Sequence, residues 1–175
     1  MSELYGVMAE FAAADAVRAA ARAAVRAGYR ALDAYSPYPV EDLADDLGFR
    51  PRLAAVAFVA GVLGGAAIFA FAGWAQAIDW TLDIGGRRPF AVTAYLVPTF
   101  ELTILAAALA TVAAMFVRSG LPAPYHPLFN VPAFARASQD RFFLLVKASD
   151  PSFDAAEVRR FLAALAPLEV HDVPT

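Results

Sequence analysis

The chain contains no cysteine and only two histidines, His126 and His171, among its 175 residues. Without cysteine it forms no disulfide, thiolate zinc site, iron–sulfur cluster or thioether-attached haem. Neither histidine lies in a long apolar segment, so a bis-histidine haem between membrane helices is also excluded. We therefore expect no cofactor in this chain and no electron transfer through it.

Charge is also scarce, at 18% of the residues, and the net charge of −3 gives no reason to expect a nucleic-acid partner. Hydrophobic residues make up 60% of the chain, whereas soluble domains contain about 45–50%. We expect no cleaved signal peptide, because the opening residues 1–4 (MSEL) lack both a basic region and an apolar run.

Two long apolar segments occupy the middle of the chain. Residues 53–78 carry no charge, and residues 89–117 carry only Glu101. Each exceeds the roughly 20 helical residues that cross a hydrocarbon core of about 30 Å. The sequence therefore predicts a transmembrane helical hairpin over residues 51–118, with spans at about 53–78 and 90–117.

Basic residues beside the spans predict their orientation. Arg50 and Arg52 precede the first span, Arg118 follows the second, and Arg87 and Arg88 lie in the connecting loop. Because positive charge near span ends favours the cytoplasmic side, we expect a multi-pass protein of the bacterial inner membrane with both termini in the cytoplasm.

The segments around the hairpin have matching patterns. Alternation and helical periodicity predict a strand, helix, strand and short helix at 4–11, 13–27, 29–35 and 40–47. The second segment is predicted to contain a strand at 142–148, a helix through Leu165 that Asp154 caps, and a strand at 168–173.

Each βαβ segment is too small to fold alone. Residues 1–50 would form one half, and residues 119–175 a linker and the second half. Joined, they would make the βαββαβ ferredoxin-like arrangement. The predicted fold class is an α+β membrane protein, with a split ferredoxin-like cytoplasmic domain and the two-helix hairpin inserted between its halves.

Glu101 is the sharpest candidate functional residue. It lies 13 residues after Arg88 and 17 before Arg118, about 20 and 25 Å from them along a helix. Two interpretations remain open: Glu101 relays protons or lines a cation pathway, or it forms a polar contact with a partner helix. Thr99 and Thr103 would bond to Glu101 or repair the helix after Pro98.

Small residues predict close helix packing within the hairpin or against a partner. They are Ala57, Gly61, Gly65, Ala106, Ala110 and Ala114. A second row contains Ala60 and Gly64.

A ridge of arginines follows the first predicted helix at Arg18, Arg22, Arg26 and Arg30. The first three are candidates for contact with anionic lipid or an acidic partner, and the alternative is a solvated helix face. His126 is interpreted as a structural hydrogen-bonding residue and His171 as a surface residue. The sequence offers no nucleophile–base pair and no phosphate-binding loop.

Seven short segments in order point to a known family. They are 5–7 (YGV), 36–40 (SPYPV), 83–87 (DIGGR), 97–102 (VPTFEL), 120–122 (GLP), 126–130 (HPLFN) and 150–154 (DPSFD). Together they resemble the ActD-type subunit of alternative complex III, the bacterial quinol:electron-acceptor oxidoreductase.

The resemblance implies a membrane subunit of an electron-transport complex that oxidises quinol and reduces a cytochrome c or similar acceptor. Haems and iron–sulfur clusters would lie in partner subunits, which include multihaem cytochrome, iron–sulfur and polytopic quinol-binding-type subunits. Glu101 matches an intramembrane glutamate of the family. Tyr35 departs from it, because the family often has histidine there, so no role of that histidine transfers.

The sequence thus favours a non-catalytic subunit that supports assembly, with proton movement as a further role. One alternative is a free-standing membrane regulator or transport accessory whose ferredoxin-like domain senses a ligand. Another is a homo-oligomeric cation pore lined by Glu101.

Overall fold

The computed structural model describes residues 4–49, 52–80, 85–86 and 92–175. The chain forms two compact units: Met1–Arg50 with Pro124–Thr175, and Pro51–Ala123. The first unit, called here the soluble unit, therefore contains segments from both sides of the hairpin.

The regular elements follow the predicted order along the chain. They are β1 (Leu4–Phe11), α1 (Ala14–Arg26), β2 (Leu32–Tyr35), α2 (Leu43–Asp46), α3 (Leu53–Trp74), α4 (Val92–Arg118), β3 (Phe142–Lys147), α5 (Ala155–Ala163) and β4 (Glu169–Pro174). A π-helix at Ala75–Asp79 extends α3, and two 3₁₀ helices at Pro127–Asn130 and Pro132–Ser138 precede β3.

The four strands form one sheet in the order β2-β3-β1-β4. Every neighbouring pair is antiparallel. Since β1 lies between β3 and β4, a strand from before the hairpin is paired on both edges with strands from after it. The soluble unit is therefore one mixed α+β domain built from both segments.

Two layers cover the sheet. On one face, alternate residues of β1 and β3 join a core with Val17 of α1 and with Val158 and Leu162 of α5. On the other face, Leu128 and Phe134 pack into a second core. They belong to the two 3₁₀ helices, which together are called here the 3₁₀ segment. The sequence predicted only a linker in this region, so this cover is a structural finding.

The predicted strand at 29–35 is wrong over its first three residues, because β2 begins at Leu32. The backbone N–H groups of Arg30 and Ala31 donate to Asp150 Oδ2 at 2.6 and 2.7 Å. The N–H of Ser152 donates to Asp150 Oδ1 at 2.9 Å. These amides are thus bonded to a carboxylate, which joins the segment before β2 to the loop after β3.

The predicted helix at 40–47 is also too long, since α2 spans one turn, Leu43–Asp46. Asp42 has a φ of 60°, and this left-handed conformation cannot continue a right-handed helix. In contrast, α5 begins as predicted: Asp154 Oδ1 accepts a hydrogen bond of 2.8 Å from the N–H of Glu157.

The hairpin unit contains two helices that are long and apolar enough to cross a membrane, Leu53–Asp79 and Val92–Arg118. They match the predicted spans within a few residues. In the intervening loop Gly85 and Gly86 are described, with φ values of 63° and 71°. Three of the arginines that predict the orientation, at positions 50, 87 and 88, lie outside the described residues.

Candidate functional site

Helices α3 and α4 meet along a line of glycines, called here the seam. A methyl group added at Gly64 would lie 2.5 Å from Ala106 Cβ, and one added at Gly65 would collide with the Thr103 hydroxyl. Neither separation is compatible with ordinary van der Waals contact. The two helices therefore approach so closely that a methyl group does not fit at Gly64, and fits at Gly65 only if the Thr103 hydroxyl moves.

Gly61 is also buried in the seam, but its surroundings are less tight. An added methyl group would lie 3.5 Å from Thr103 Cγ2 and from Ala107 Cβ, an ordinary contact distance. Gly61 and Gly65, four residues apart on α3, thus face the same helix, but only an added methyl group at Gly65 would clash with it. The other predicted packing residues are half-buried: Ala57, Ala106, Ala110 and Ala114.

Glu101 is exposed on α4. At about 100° per residue, it lies about 120–160° around the helix from Thr103, Ala106 and Ala107, which meet the glycines of α3. Its carboxyl group therefore lies on the opposite side of α4 from the seam. Glu101 has no hydrogen bond or ion pair with any residue that the structure describes.

The Thr103 side chain, two residues after Glu101, is engaged elsewhere. The Thr103 hydroxyl donates a 2.7 Å hydrogen bond to the carbonyl of Thr99, one turn earlier. Since Pro98 lacks an N–H, the preceding turn of α4 has one backbone bond fewer. The Thr103 hydroxyl thus bonds backbone on the seam side of the helix and not the Glu101 carboxyl group.

The predicted arginine ridge is largely paired within the soluble unit. Arg18 Nε donates to Asp46 Oδ2 at 2.8 Å, and Arg22 Nη1 lies 3.2 Å from the same oxygen. The hydrogen bond from Arg18 is the largest influence that lowers the pKa of the Asp46 carboxyl group. Arg26 is exposed at the end of α1. Arg30 lies beyond α1, so its inclusion in the ridge is wrong.

His171 is not a surface residue, because its side chain is only 14% exposed. Its Nε2 lies 3.6 Å from Glu10 Oε2 and 3.8 Å from Glu169 Oε2. These three side chains could together offer ligand atoms to a metal ion. However, Arg141 Nε lies 3.1 Å from Glu10 Oε1 and already balances that carboxylate, so a cation at this cluster would compete with the Arg141 guanidinium.

His126 holds the cover of the sheet in place, as its interpretation as a structural residue requires. Its Nδ1 accepts a 3.4 Å hydrogen bond from the N–H of Leu128 at the start of a 3₁₀ helix. Its Nε2 lies 3.3 Å from the Tyr5 hydroxyl. Both ring nitrogens are therefore bonded within the soluble unit.

A cleft of about 700 Å³ lies between the end of β2 and the 3₁₀ segment. The rings of Tyr35 and Phe134 meet edge to face in its wall, with centroids 5.1 Å apart, and burial raises the pKa of Tyr35. The Ser36 hydroxyl at the rim donates to the carbonyl of Tyr38. The Tyr35 hydroxyl donates to Asp33 Oδ2 at 3.4 Å, so both of these polar groups have partners inside the domain.

A profile of the family described as "Alternative complex III, ActD subunit" matches residues 5–172, nearly the whole chain. The chain belongs to the ActD family. No curated protein matches the sequence.

Membership in the ActD family makes the chain a subunit of alternative complex III, a respiratory quinol oxidoreductase. The family and the two long apolar helices together indicate a membrane protein. The recognition made from the seven short segments is thereby confirmed.

Two features of this ActD-family chain were missed by sequence reasoning. The ion pairs of the arginine ridge could have been predicted, since the acidic residues Asp42 and Asp46 follow Arg18 by fewer than 30 residues. The role of Asp150 in joining the two segments could not, because its backbone partners at 30 and 31 lie about 120 residues away in sequence.

Proposed function

We propose that this chain is a cofactor-free, non-catalytic membrane subunit of alternative complex III that supports assembly of the complex. The observation that carries this proposal is the family match over residues 5–172. The complex transfers electrons, while this chain has no cysteine and only two histidines. Its contribution is therefore structural, and the haems and iron–sulfur clusters belong to partner subunits.

The environment of the histidines supports the absence of a haem in this chain. His126 uses both ring nitrogens in contacts with Leu128 and Tyr5. His171 faces Glu10, which also pairs with Arg141. A haem iron would have to displace one of these contacts to gain an axial ligand.

We assign the soluble unit to the ferredoxin-like class. Strand order β2-β3-β1-β4 with antiparallel neighbours is what two interleaved βαβ units produce. Residues 1–50 and 119–175 then form one cytoplasmic domain, interrupted by the hairpin at 51–118. Because a hairpin returns the chain to the side it left, both halves of the sheet can form in the same compartment.

In this account the hairpin crosses the inner membrane twice, and both termini are cytoplasmic. Arg52 and Arg118 stand at the cytoplasmic ends of α3 and α4, consistent with the preference of basic residues for that side. Arg26, exposed at the end of α1 and without an ion pair to any residue that the structure describes, is available for contact with anionic lipid or an acidic partner.

Glu101 gives the hairpin a role beyond anchoring. The residue lies about 14 Å along α4 from Val92 and about 25 Å from Arg118, and a carboxylate near mid-membrane costs about 3 kcal/mol on insertion scales. Either a hydrogen bond to a neighbouring subunit offsets this cost, or the carboxyl group is kept at this depth because it moves protons.

The Glu101→Gln variant separates these two roles. Glutamine keeps hydrogen-bonding capacity but carries no transferable proton. We expect normal assembly and unchanged quinol oxidation if the residue is only a contact. Lower turnover of a fully assembled complex would instead establish a proton relay.

Purification of the complex through an affinity tag on this chain tests the proposed function. In mild detergent we expect multihaem cytochrome, iron–sulfur and polytopic quinol-binding-type subunits to co-purify, with haem absorbance in the eluate. An untagged strain is the control. Recovery of this chain alone, or as a ring of identical copies, would refute the proposal.

A further inference from the structure

The side of α4 turned away from the seam carries a single carboxyl group, Glu101, among apolar residues. Glu101 lies at its centre, and Ala94, Val97 and Ala108 lie within about 40° of it around the helix. All four residues are exposed in the chain. We call these four residues the outer face of α4.

The seam cannot satisfy Glu101. The residues of α4 that contact the glycines of α3 lie on the other side of the helix, and the Thr103 hydroxyl bonds the Thr99 carbonyl. Rotating α4 to bring Glu101 inward would remove the Ala106 contact with Gly64 and expose three glycines to lipid. The seam therefore fixes the outward direction of the carboxyl group.

Lipid cannot supply a polar partner at this depth, whereas a neighbouring protein helix can. Hydrocarbon has no hydrogen-bonding groups, and backbone groups within spanning helices are already bonded to each other. A side-chain hydroxyl or amide on a neighbouring helix would meet the requirement. Ala94 and Ala108 lie about two turns to either side of Glu101, and Val97 and Leu105 lie one turn to either side, so a helix on this face would pack against apolar side chains beside the carboxyl group.

We propose that the outer face of α4 binds a transmembrane helix of another subunit of the complex, through a hydrogen bond between the Glu101 carboxyl group and a hydroxyl or amide side chain. This inference rests on the proposed function, because it takes the partner from the same complex. The partner helix would contact the outer face of α4, while the seam joins α3 to α4 within the chain.

The test compares three variants of the tagged chain in the complete complex. Glu101→Leu removes the hydrogen bond, Glu101→Gln keeps it, and Ala66→Leu adds a similar side chain to an exposed position of α3 away from the seam. The readout is the ratio of this chain to the haem-bearing subunits after a graded detergent wash. The seam is untouched in all three, so the hairpin itself should form.

We expect Glu101→Leu to weaken retention by about threefold to thirtyfold, the size of interhelical hydrogen bonds in membranes. Glu101→Gln and Ala66→Leu should match the parent chain. If position 101 instead faces lipid, the Glu101→Leu chain should be retained in the complex as well as the parent chain or better, since leucine is favourable in lipid. That result would overturn the assignment, as would equal loss from all three variants or equal loss from both Glu101 variants.

Photo-crosslinking gives a second, independent measurement. Val97→p-benzoylphenylalanine places the photoreactive group one turn from Glu101 on the same face. We expect an adduct with another membrane subunit, identified by mass spectrometry. An adduct between two copies of this chain, or with lipid alone, would overturn the inference.

The two proposals fail in different ways. If the parent chain does not co-purify with the cytochrome and iron–sulfur subunits, the proposed function is refuted. If the parent chain co-purifies and Glu101→Leu is retained equally well, only the outer-face assignment is refuted.

Discussion

Replacing Asp150 with alanine should destabilise the contact between the two segments of the soluble unit. The carboxylate is 5% exposed and accepts hydrogen bonds from the N–H groups of Arg30, Ala31 and Ser152. Two of these donors precede the hairpin and one follows it. The side chain therefore connects parts of the chain that the hairpin separates in sequence.

The expected loss follows from the number and type of these bonds. A hydrogen bond to an ionised group contributes about 1.5–3 kcal/mol. Arg30 is exposed, so water can replace part of its bond after truncation. We therefore expect Asp150→Ala to cost about 3–5 kcal/mol, below the full sum of three bonds.

Hydrogen–deuterium exchange of the intact complex measures this loss at the site. Amides in the peptide covering residues 30–35 should exchange about 100-fold to 5,000-fold faster, since about 1.4 kcal/mol corresponds to tenfold. Asp172→Ala is the matched control, because Asp172 pairs with Arg159 through side chains that are 47% and 43% exposed and solvent screens such pairs. Unchanged exchange in Asp150→Ala would refute the reasoning.

Three further predictions concern the seam, acid stability and the arginine ridge. Gly65→Ala should lower thermal stability of the hairpin in detergent by about 1–3 kcal/mol through overpacking, whereas Gly61→Ala should not; equal effects would contradict the seam geometry. Burial raises the pKa of Asp150, but the three amide hydrogen bonds outweigh burial and lower the pKa overall. The stability that the Asp150 carboxylate provides is therefore present above about pH 4 and is lost as the pH falls through the lower pKa of the folded state. Asp150→Asn should remove this loss of stability in acid. Asp46→Asn should free Arg22 from its ion pair with Asp46, while Arg18 stays paired with Asp42, and should strengthen co-sedimentation with anionic vesicles; no change would count against lipid contact by the ridge.

Strong local patterns account for what the sequence predicted well. β1, a mostly apolar strand that is buried on both faces, matches its predicted bounds, and α1 matches within one residue at each end because its buried residues recur at helical spacing. The spans of the hairpin follow from their length and from the absence of charge. In each case the information lies within about 30 consecutive residues.

Long-range contacts account for what the sequence missed. β2 starts late because Asp150 binds the amides before it, and the 3₁₀ cover forms because Leu128 and Phe134 find a sheet face made by distant strands. The direction of Glu101 depends on which side of α4 meets the glycines of α3. Several sides of α4 carry small or apolar residues, so composition alone could not select one.

The central claim is that α3 and α4 cross the membrane and return the chain to the side it left. Because the natural chain has no cysteine, single cysteines report topology without background. We would place them at exposed Ala16, Asp79 and Ala156 and label with a membrane-impermeant maleimide in vesicles of both orientations. The account predicts that Ala16→Cys and Ala156→Cys react only in inside-out vesicles and Asp79→Cys only in right-side-out vesicles. Labelling of Ala16→Cys and Ala156→Cys from opposite sides would contradict it.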